Sequence, residues 1–174
     1  MAELRDASVE DAEAIAAIYA HHVLHGTASY EVQPLSVADT RAKIERIAGR
    51  GWPFLVADMD GEPVGYAYAE QFRDRPAYRY TCENSIYVRA DRLGLGVGKA
   101  LLTELCARAE RLGFRQMIAV IGGAEPASIA LHESCGFETV GRLRSVGWKK
   151  GRWLDTVYMQ RPLGGGDSNT PSNI

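Results

Sequence analysis

Between residues 83 and 102 the chain reads "ENSIYVRADRLGLGVGKALL": an apolar strand-like run, three glycines at alternate positions, then an apolar helix-like run. The helical stripe continues through Leu101, Leu102, Leu105, Cys106, Ala109 and Leu112 and stops at Gly113. A buried-type strand, "RQMIAVI", follows at once. A strand, a long one-faced helix and a second strand in that order read as a crossover helix on one face of a sheet.

Other segments add hairpins to this crossover. "AELRDAS" is a short strand that leads into a helix opened by the Ser8/Asp11 capping box, with Ile15, Ile18, Tyr19 and Val23 on one face. A loop containing "GTASYEVQP" precedes a second capped helix, opened by Ser36 and Asp39 and ending near Gly49. "PFLVADMDGEPVGYAYAEQF" is a hairpin that turns at Asp60-Gly61, and "YRYTCENSIYV" is another strand. "PASIALHESCGF" is a short helix with Pro126 near its start and Gly136 at its end, and "ETVGRLRSVGWK" and "GRWLDTVYMQRPL" close the domain. The order β-α-α-β-β-β-α-β-α-β-β predicts an α/β fold with a mixed sheet, neither doubly wound nor a barrel. At 174 residues the chain suits one domain over residues 1–163, and the polar "GGGDSNTPSNI" that follows suits a disordered tail over 164–174.

A net charge of −2 gives no general electrostatic reason to bind nucleic acid or an anionic membrane. Cys82, Cys106 and Cys135 have neither disulfide-framework nor metal-knuckle spacing, and the charged N-terminus is no secretion signal, so a cytoplasmic setting is expected. His21 and His25 share a helix face, but no third ligand is suitably spaced. His21, His22 and His25 read as polar surface or part of a dimer contact, and no metal is expected.

The glycines at 94, 96 and 98 fit neither a dinucleotide fingerprint nor a Walker A loop, because the spacing is wrong and Ala100 follows Lys99. Two readings remain. One is a tight strand-to-helix turn that merely needs positive φ; the other is a helix start whose free N–H groups and dipole hold an anion.

Taken together, "SIYVRAD", "RLGLGVGKALL" and "MIAVIGGAEPASIALHESCGF" resemble the acyl-CoA core of the GNAT N-acetyltransferase superfamily. With "AIYAHHV", "AYRYTCENSIYV" and "VGWKKGRWLDTVYMQRPL", the likeness extends to its phosphinothricin and methionine sulfone (sulfoximine) acetyltransferases over about residues 3 to 163. The resemblance implies a mostly antiparallel mixed sheet flanked by helices, acetyl-CoA as cosubstrate, a small amino acid analogue as acceptor and a homodimer. It also implies that Ile86, Tyr87 and Val88 offer backbone to the pantetheine arm and that Gly94, Leu95, Gly96, Val97, Gly98 and Lys99 wrap the pyrophosphate. The family loop Gln/Arg-x-x-Gly-x-Gly/Ala fits here in two registers; the one that best fits the spacing from "IYV" and into "KALL" puts Leu93 at the Gln/Arg position, and Glu125 stands where the family has an Asn that touches the cofactor. Ser134 is a further cofactor contact by resemblance.

Acetyl transfer to an amine needs a proton acceptor, stabilisation of the thioester oxygen and protonation of the departing thiolate. The resemblance assigns the base to Glu83, which on its residue type alone would equally suit a solvated edge strand. His132 occupies the place of a general acid or thiol contact, against the alternative of a packed helix histidine. The thioester oxygen would bond a backbone N–H near Ile86 or Tyr87. By resemblance Arg73, Arg75, Pro76, Ala77 and Tyr78 approach the acceptor, with Tyr30 and Glu31 as the opposite wall; a solvated basic loop is the alternative for the arginines. A covalent acetyl-cysteine at Cys82 or Cys135 lacks a legible His and carboxylate partner. Other readings are an acetyltransferase for a protein N-terminus, polyamine or aminoglycoside, and a CoA-binding regulatory module without turnover.

Overall fold

The computed structural model describes residues 2–171. Seven strands form one sheet: β1 (Glu3–Asp6), β2 (Phe54–Met59), β3 (Glu62–Gln71), β4 (Thr81–Val88), β5 (Gln116–Gly122), β6 (Glu138–Lys149) and β7 (Arg152–Pro162), in the spatial order β1-β2-β3-β4-β5-β7-β6. Four α-helices accompany them: α1 (Ala12–His25), α2 (Val37–Gly49), α3 (Val97–Arg111) and α4 (Pro126–Ser134). The element order matches that expected from the sequence, with short 3₁₀ turns added at Val9–Asp11, Pro76–Tyr78 and Ala90–Arg92.

The central strands are apolar on both faces, which explains why helices cover both. Because side chains alternate along a strand, Phe54, Val56, Tyr66 and Tyr68 pack with Ile15, Ile18, Ile44 and Ile47 of α1 and α2. The intervening Leu55, Ala57, Ala67 and Ala69 pack with Leu101, Leu102 and Leu105 of α3. Both expected capping boxes form. Asp11 accepts from Ser8 N–H (2.8 Å), and Asp39 N–H donates to Ser36 Oγ (3.0 Å). Arg5 of β1 grips both Asp11 oxygens (2.7 and 2.8 Å) and Asp58 of β2 (2.6 Å), tying the start of α1 to the sheet. The two-residue turn Asp60-Gly61 has φ of 56° and 81°, as the predicted hairpin requires.

Every adjacent strand pair is antiparallel except β4 and β5. That one parallel pair is short: Thr81 to Asn84 oppose Gln116 to Ala119, and the pairing then ends. Beyond it β4 runs on to Val88 beside β3, and β5 runs on to Gly122 beside β7. The sheet therefore splits along its middle, with Ser85–Val88 on one lip and Val120–Gly122 on the other.

At the far end of β4 the glycine loop opens α3. Gly96 is the N-cap residue with φ of 82° and ψ of −1°, a left-handed conformation that a side chain would strain. Gly98 lies inside the first turn, where an added Cβ would stand 3.2 Å from Leu131 Cδ2, so this glycine serves the packing of α4 on α3.

Residues 164–169, the first part of the expected disordered tail, form turns and bends. Gly166 N–H bonds Leu163 O (2.9 Å), and Arg115 Nε donates to Gly166 O (3.0 Å). Residues 172–174 lie outside the described residues.

Candidate active site

The split between β4 and β5 opens a cleft of about 340 Å³. Its floor is Glu83 to Tyr87 of β4 and Ala119 to Gly122 of β5. One wall is the segment Ala28 to Glu31 with Tyr19, and the other is Ser128 and His132 of α4. Four residues singled out in the sequence, Tyr30, Glu31, Glu83 and His132, thus meet in one space, together with Ile86 and Tyr87.

Glu83 points to the α1/α2 face of the sheet, since Cys82 and Asn84 on either side are buried toward the other face. Its neighbours are therefore Ser85, Tyr87 and the cross-strand Glu70, while Cys82 and Ile86 lie on the opposite side of the strand. The carboxylate is 32% exposed and 3.3 Å from Arg73 Nη1. Burial lifts the Glu83 carboxyl above the ordinary carboxylate range, Arg73 pulls it down, and Glu70 pushes it up again. A carboxyl raised in this way holds a proton more readily than a solvated one, which suits a proton acceptor.

His132 approaches the same cleft from the other face. It is 2% exposed and stands edge-on to Phe137. Its Nδ1 lies 2.7 Å from Ser128 O, which only accepts, so Nδ1 carries the ring hydrogen. Nε2 lies 3.1 Å from the side-chain amide of Asn84, itself 6% exposed. An amide can present either its oxygen or its NH₂. As placed, Asn84 turns Oδ1 to Nε2 and its NH₂ to Ile118 O (3.5 Å), which meets an imidazolium that donates at Nε2; a neutral ring that accepts there needs the amide turned over. Burial lowers the His132 pKa and favours the neutral ring.

The wall from Ala28 to Glu31 is built rather than loose. Tyr30 hydroxyl donates to Asp155 O (2.9 Å), lies 2.7 Å from Thr156 Oγ1 and accepts from Gly123 N–H (3.3 Å). Ser29 hydroxyl meets Tyr19 OH (2.8 Å), and Ser29 O receives Lys149 Nζ (2.7 Å). Lys149 is a lysine only 6% exposed, its pKa lowered chiefly by burial. Its place at the end of β6, with an adjacent Lys150, gave no sequence signal that it turns inward.

At the other end of β4 the loop Leu93 to Gly96 is exposed, and an added Cβ at Gly94 or Gly96 would meet nothing within 4 Å. The first helical N–H groups of α3 have no partner within the helix, because the ladder begins with Ala100 N–H to Gly96 O (3.0 Å). A 15-residue helix puts the positive end of its dipole there. Open space, free donors and glycine backbone fit a diphosphate. Val97 is buried and can contribute only its backbone, whereas Lys99 is exposed.

The sequence that folds into this split pair, glycine loop and helix is matched by a family model. The model of the acetyltransferase (GNAT) domain covers residues 4–158. The chain belongs to the GNAT acetyltransferase family.

Its relatives include phosphinothricin N-acetyltransferase of Alcaligenes faecalis, 50% identical over 93% of this chain and 83% of that protein. L-methionine sulfoximine/L-methionine sulfone acetyltransferase of Pseudomonas paraeruginosa is 42% identical over 93% of this chain and 95% of that protein. A GNAT superfamily phosphinothricin acetyltransferase from Sinorhizobium meliloti, solved in complex with AcCoA, superposes with a TM-score of 0.97 at 52% identity. That match covers 99% of this chain and 94% of the other.

Other sequence-derived candidates of this GNAT chain lie outside the cleft. Arg75 and Pro76 to Tyr78 are exposed on the loop before β4, where Tyr78 packs edge-on to Phe72. Glu125 is the N-cap residue of α4 without a side-chain cap bond. Ser134 hydroxyl donates to Leu131 O (2.8 Å), within its own helix. Val88 carbonyl accepts from His22 Nε2 (2.8 Å), which corrects the reading of His22 as polar surface: it is half-buried and ties α1 to the end of β4. His21 and His25 are exposed with rings 4.8 Å apart, and no group of three His, Cys, Asp or Glu among the described residues could hold a metal ion. All three cysteines are free and buried; burial pushes the Cys82 thiol far up, and neither Cys82 nor Cys135 lines the cleft. A covalent acetyl-cysteine has no support here.

Proposed function

We propose that this GNAT protein transfers acetyl from acetyl-CoA to the α-amine of a small amino acid analogue of the phosphinothricin or methionine sulfone (sulfoximine) type. The observation that carries the proposal is the split between β4 and β5, with Glu83 at its inner end and the free helix-start amides of α3 beyond its outer end. The unpaired lip of β4 at Ile86 and Tyr87 suits the peptide-like pantetheine arm, and its N–H groups suit the thioester oxygen. The Gly94–Lys99 backbone suits the pyrophosphate. The names of the relatives point to the same acceptors.

In this mechanism Glu83 accepts one proton from the acceptor's ammonium, and the freed amine attacks the thioester carbon. The C–N bond forms, the C–S bond breaks, and a second proton from the nitrogen passes to the departing thiolate by way of the Nε2 side of His132. Glu83 then returns its proton to solvent. The net reaction gives amide, thiol and one released proton. Arg73, beside Glu83, faces the acceptor's acidic group, and Tyr30 and Glu31 bound the opposite wall. A set of free thiols suits a reducing cytoplasm.

The test is thiol release from acetyl-CoA with methionine sulfone, phosphinothricin and a polyamine. The two amino acid analogues are expected to accelerate release and the polyamine to do nothing. No acceleration by any amine would leave only a CoA-binding module.

The proposal includes a homodimer. β6 is an edge strand, exposed along nearly its whole length, and it presents Val140, Leu143, Val146 and Trp148 beside Trp153 of β7. The two tryptophans are register partners with rings 5.2 Å apart and are about 60% exposed. A long apolar edge left bare invites pairing with another copy. Light scattering on the wild type is expected to give twice the 19.1 kDa chain mass and on Trp153→Glu the single mass. A monomeric wild type removes the dimer.

A further inference from the structure

Glu70 and Glu83 are register partners across β3 and β4. Sheets ordinarily avoid two carboxylates directly opposite one another, because such side chains stand roughly 5 Å apart at Cβ. Both residues line a second, smaller cleft of about 170 Å³ with Tyr68, Gln71 and Ser85. Glu83 and Ser85 also line the main cleft, so the two spaces meet at Glu83.

Each carboxylate has its own arginine. Arg46 Nη1 of α2 lies 2.6 Å from Glu70 Oε1, and Arg73 Nη1 lies 3.3 Å from Glu83 Oε2. The row is therefore Arg46, Glu70, Glu83, Arg73, with the like charges in the middle. Two carboxylates in one site titrate as a pair, and one keeps its proton to higher pH than the other. The closer arginine sits on Glu70, whereas Glu83 meets Arg73 only at the longer distance.

The other groups around Glu83 do not reverse that order. Lys43 of α2 is engaged at Tyr68 OH (3.3 Å). Across the main cleft stand Glu31 and the phenol of Tyr19, Tyr87 lies two pleats along β4 on the same face as Glu83, and His132, its pKa lowered by burial, approaches from α4.

We propose that Arg46 and Glu70 are positioning residues for acetyl transfer: Arg46 holds the charge on Glu70, and Glu70 makes Glu83 the carboxyl that takes up the acceptor's proton, with the small cleft as the proton's way out to solvent. The proposal rests on the reading of Glu83 as the base. It gives a task to a pair of like charges that would otherwise only weaken the sheet, and it explains how Glu83 stays a useful base beside Arg73.

Two isosteric or near-isosteric changes act in opposite directions. Glu70→Gln removes the like charge and frees Arg46, so Glu83 should lose its proton at lower pH. Arg46→Met leaves Glu70 uncompensated, so Glu83 should hold its proton to higher pH. Two readouts are taken on the full-length protein: the acid side of the kcat/KM profile with methionine sulfone, and the titration of side-chain carboxyls by ¹³C NMR, with the Glu83 signal assigned by its loss in Glu83→Gln. The expected result is a shift of both readouts to lower pH in Glu70→Gln and to higher pH in Arg46→Met, with KM for acetyl-CoA unchanged. A merely structural role would move both variants the same way.

An acid limb that vanishes in Glu83→Gln but stays put in both variants overturns the proposal and leaves the base reading standing. A carboxyl titration that shifts while the rate profile does not overturns it at the base reading itself.

Discussion

Glu83→Gln is expected to lower kcat by about 10²–10⁴-fold, the range of a lost general base. KM for acetyl-CoA should be nearly unchanged, because the glycine loop and the start of α3 are on the other side of β4's end. The pH dependence carries the finer test. Burial raises the Glu83 carboxyl, so its proton-accepting form is lost as pH falls through a value above the ordinary carboxylate range. The wild-type rate should fall on that acid side, and the glutamine variant should show no such slope.

Stability should not suffer. A carboxylate whose folded pKa is raised costs stability above that pKa, and the amide removes that cost. The Arg73 partner is half-exposed and contributes little. Initial rates between pH 5 and 9 alongside a thermal melt check all of this. A wild-type rate for Glu83→Gln would end the assignment.

Leu101→Ala is expected to give the largest loss of stability. Leu101 is fully buried on α3, in the cluster that joins Leu55, Ala67 and Ala69 of the sheet to the helix. Truncating a leucine in such a place costs about 2–5 kcal/mol through lost transfer energy and the cavity left behind. For a chain of this size that is a fall in Tm of roughly 5–15 °C. Calorimetry on both proteins measures it. Because α3 carries the amides of the glycine loop, the gap between the two melting temperatures should persist when saturating acetyl-CoA raises each of them. A Tm within a degree of wild type would mean that the core closes over the missing atoms.

The elements and their order were legible in the sequence because each carries its own local signal: capping serines at 8 and 36, the Asp60-Gly61 turn, the leucine stripe of α3. The motif likeness named Glu83, His132, Tyr30 and Glu31, and all four line one cleft, where no periodicity would place them together. What stayed hidden depends on register and on which way a side chain turns. Asn84 follows the candidate base directly, yet it faces the opposite side of the sheet and meets His132. Glu70 and Arg46 are distant in sequence from Glu83, and only the pairing of β3 with β4 makes them its neighbours. His22 and Lys149 look like surface residues by type, but one bonds a strand carbonyl and the other lies under the Ala28–Glu31 wall. Tyr78 and Arg75, which the likeness sets by the acceptor, are exposed on the loop before β4 and do not line the cleft.

The split in the sheet also separates what can drift from what cannot. On the proposed reading, the donor side of the cleft is made of main-chain groups, at the open lip of β4 and the first turn of α3, and main chain is the same whatever residue carries it. Leu93, exposed in that loop, would then leave such a cradle intact. The acceptor side is made of side chains, on a strap fastened to the β6–β7 hairpin by Tyr30 and Lys149. Substitutions there can change which amine is accepted while the means of holding the acyl carrier is inherited intact.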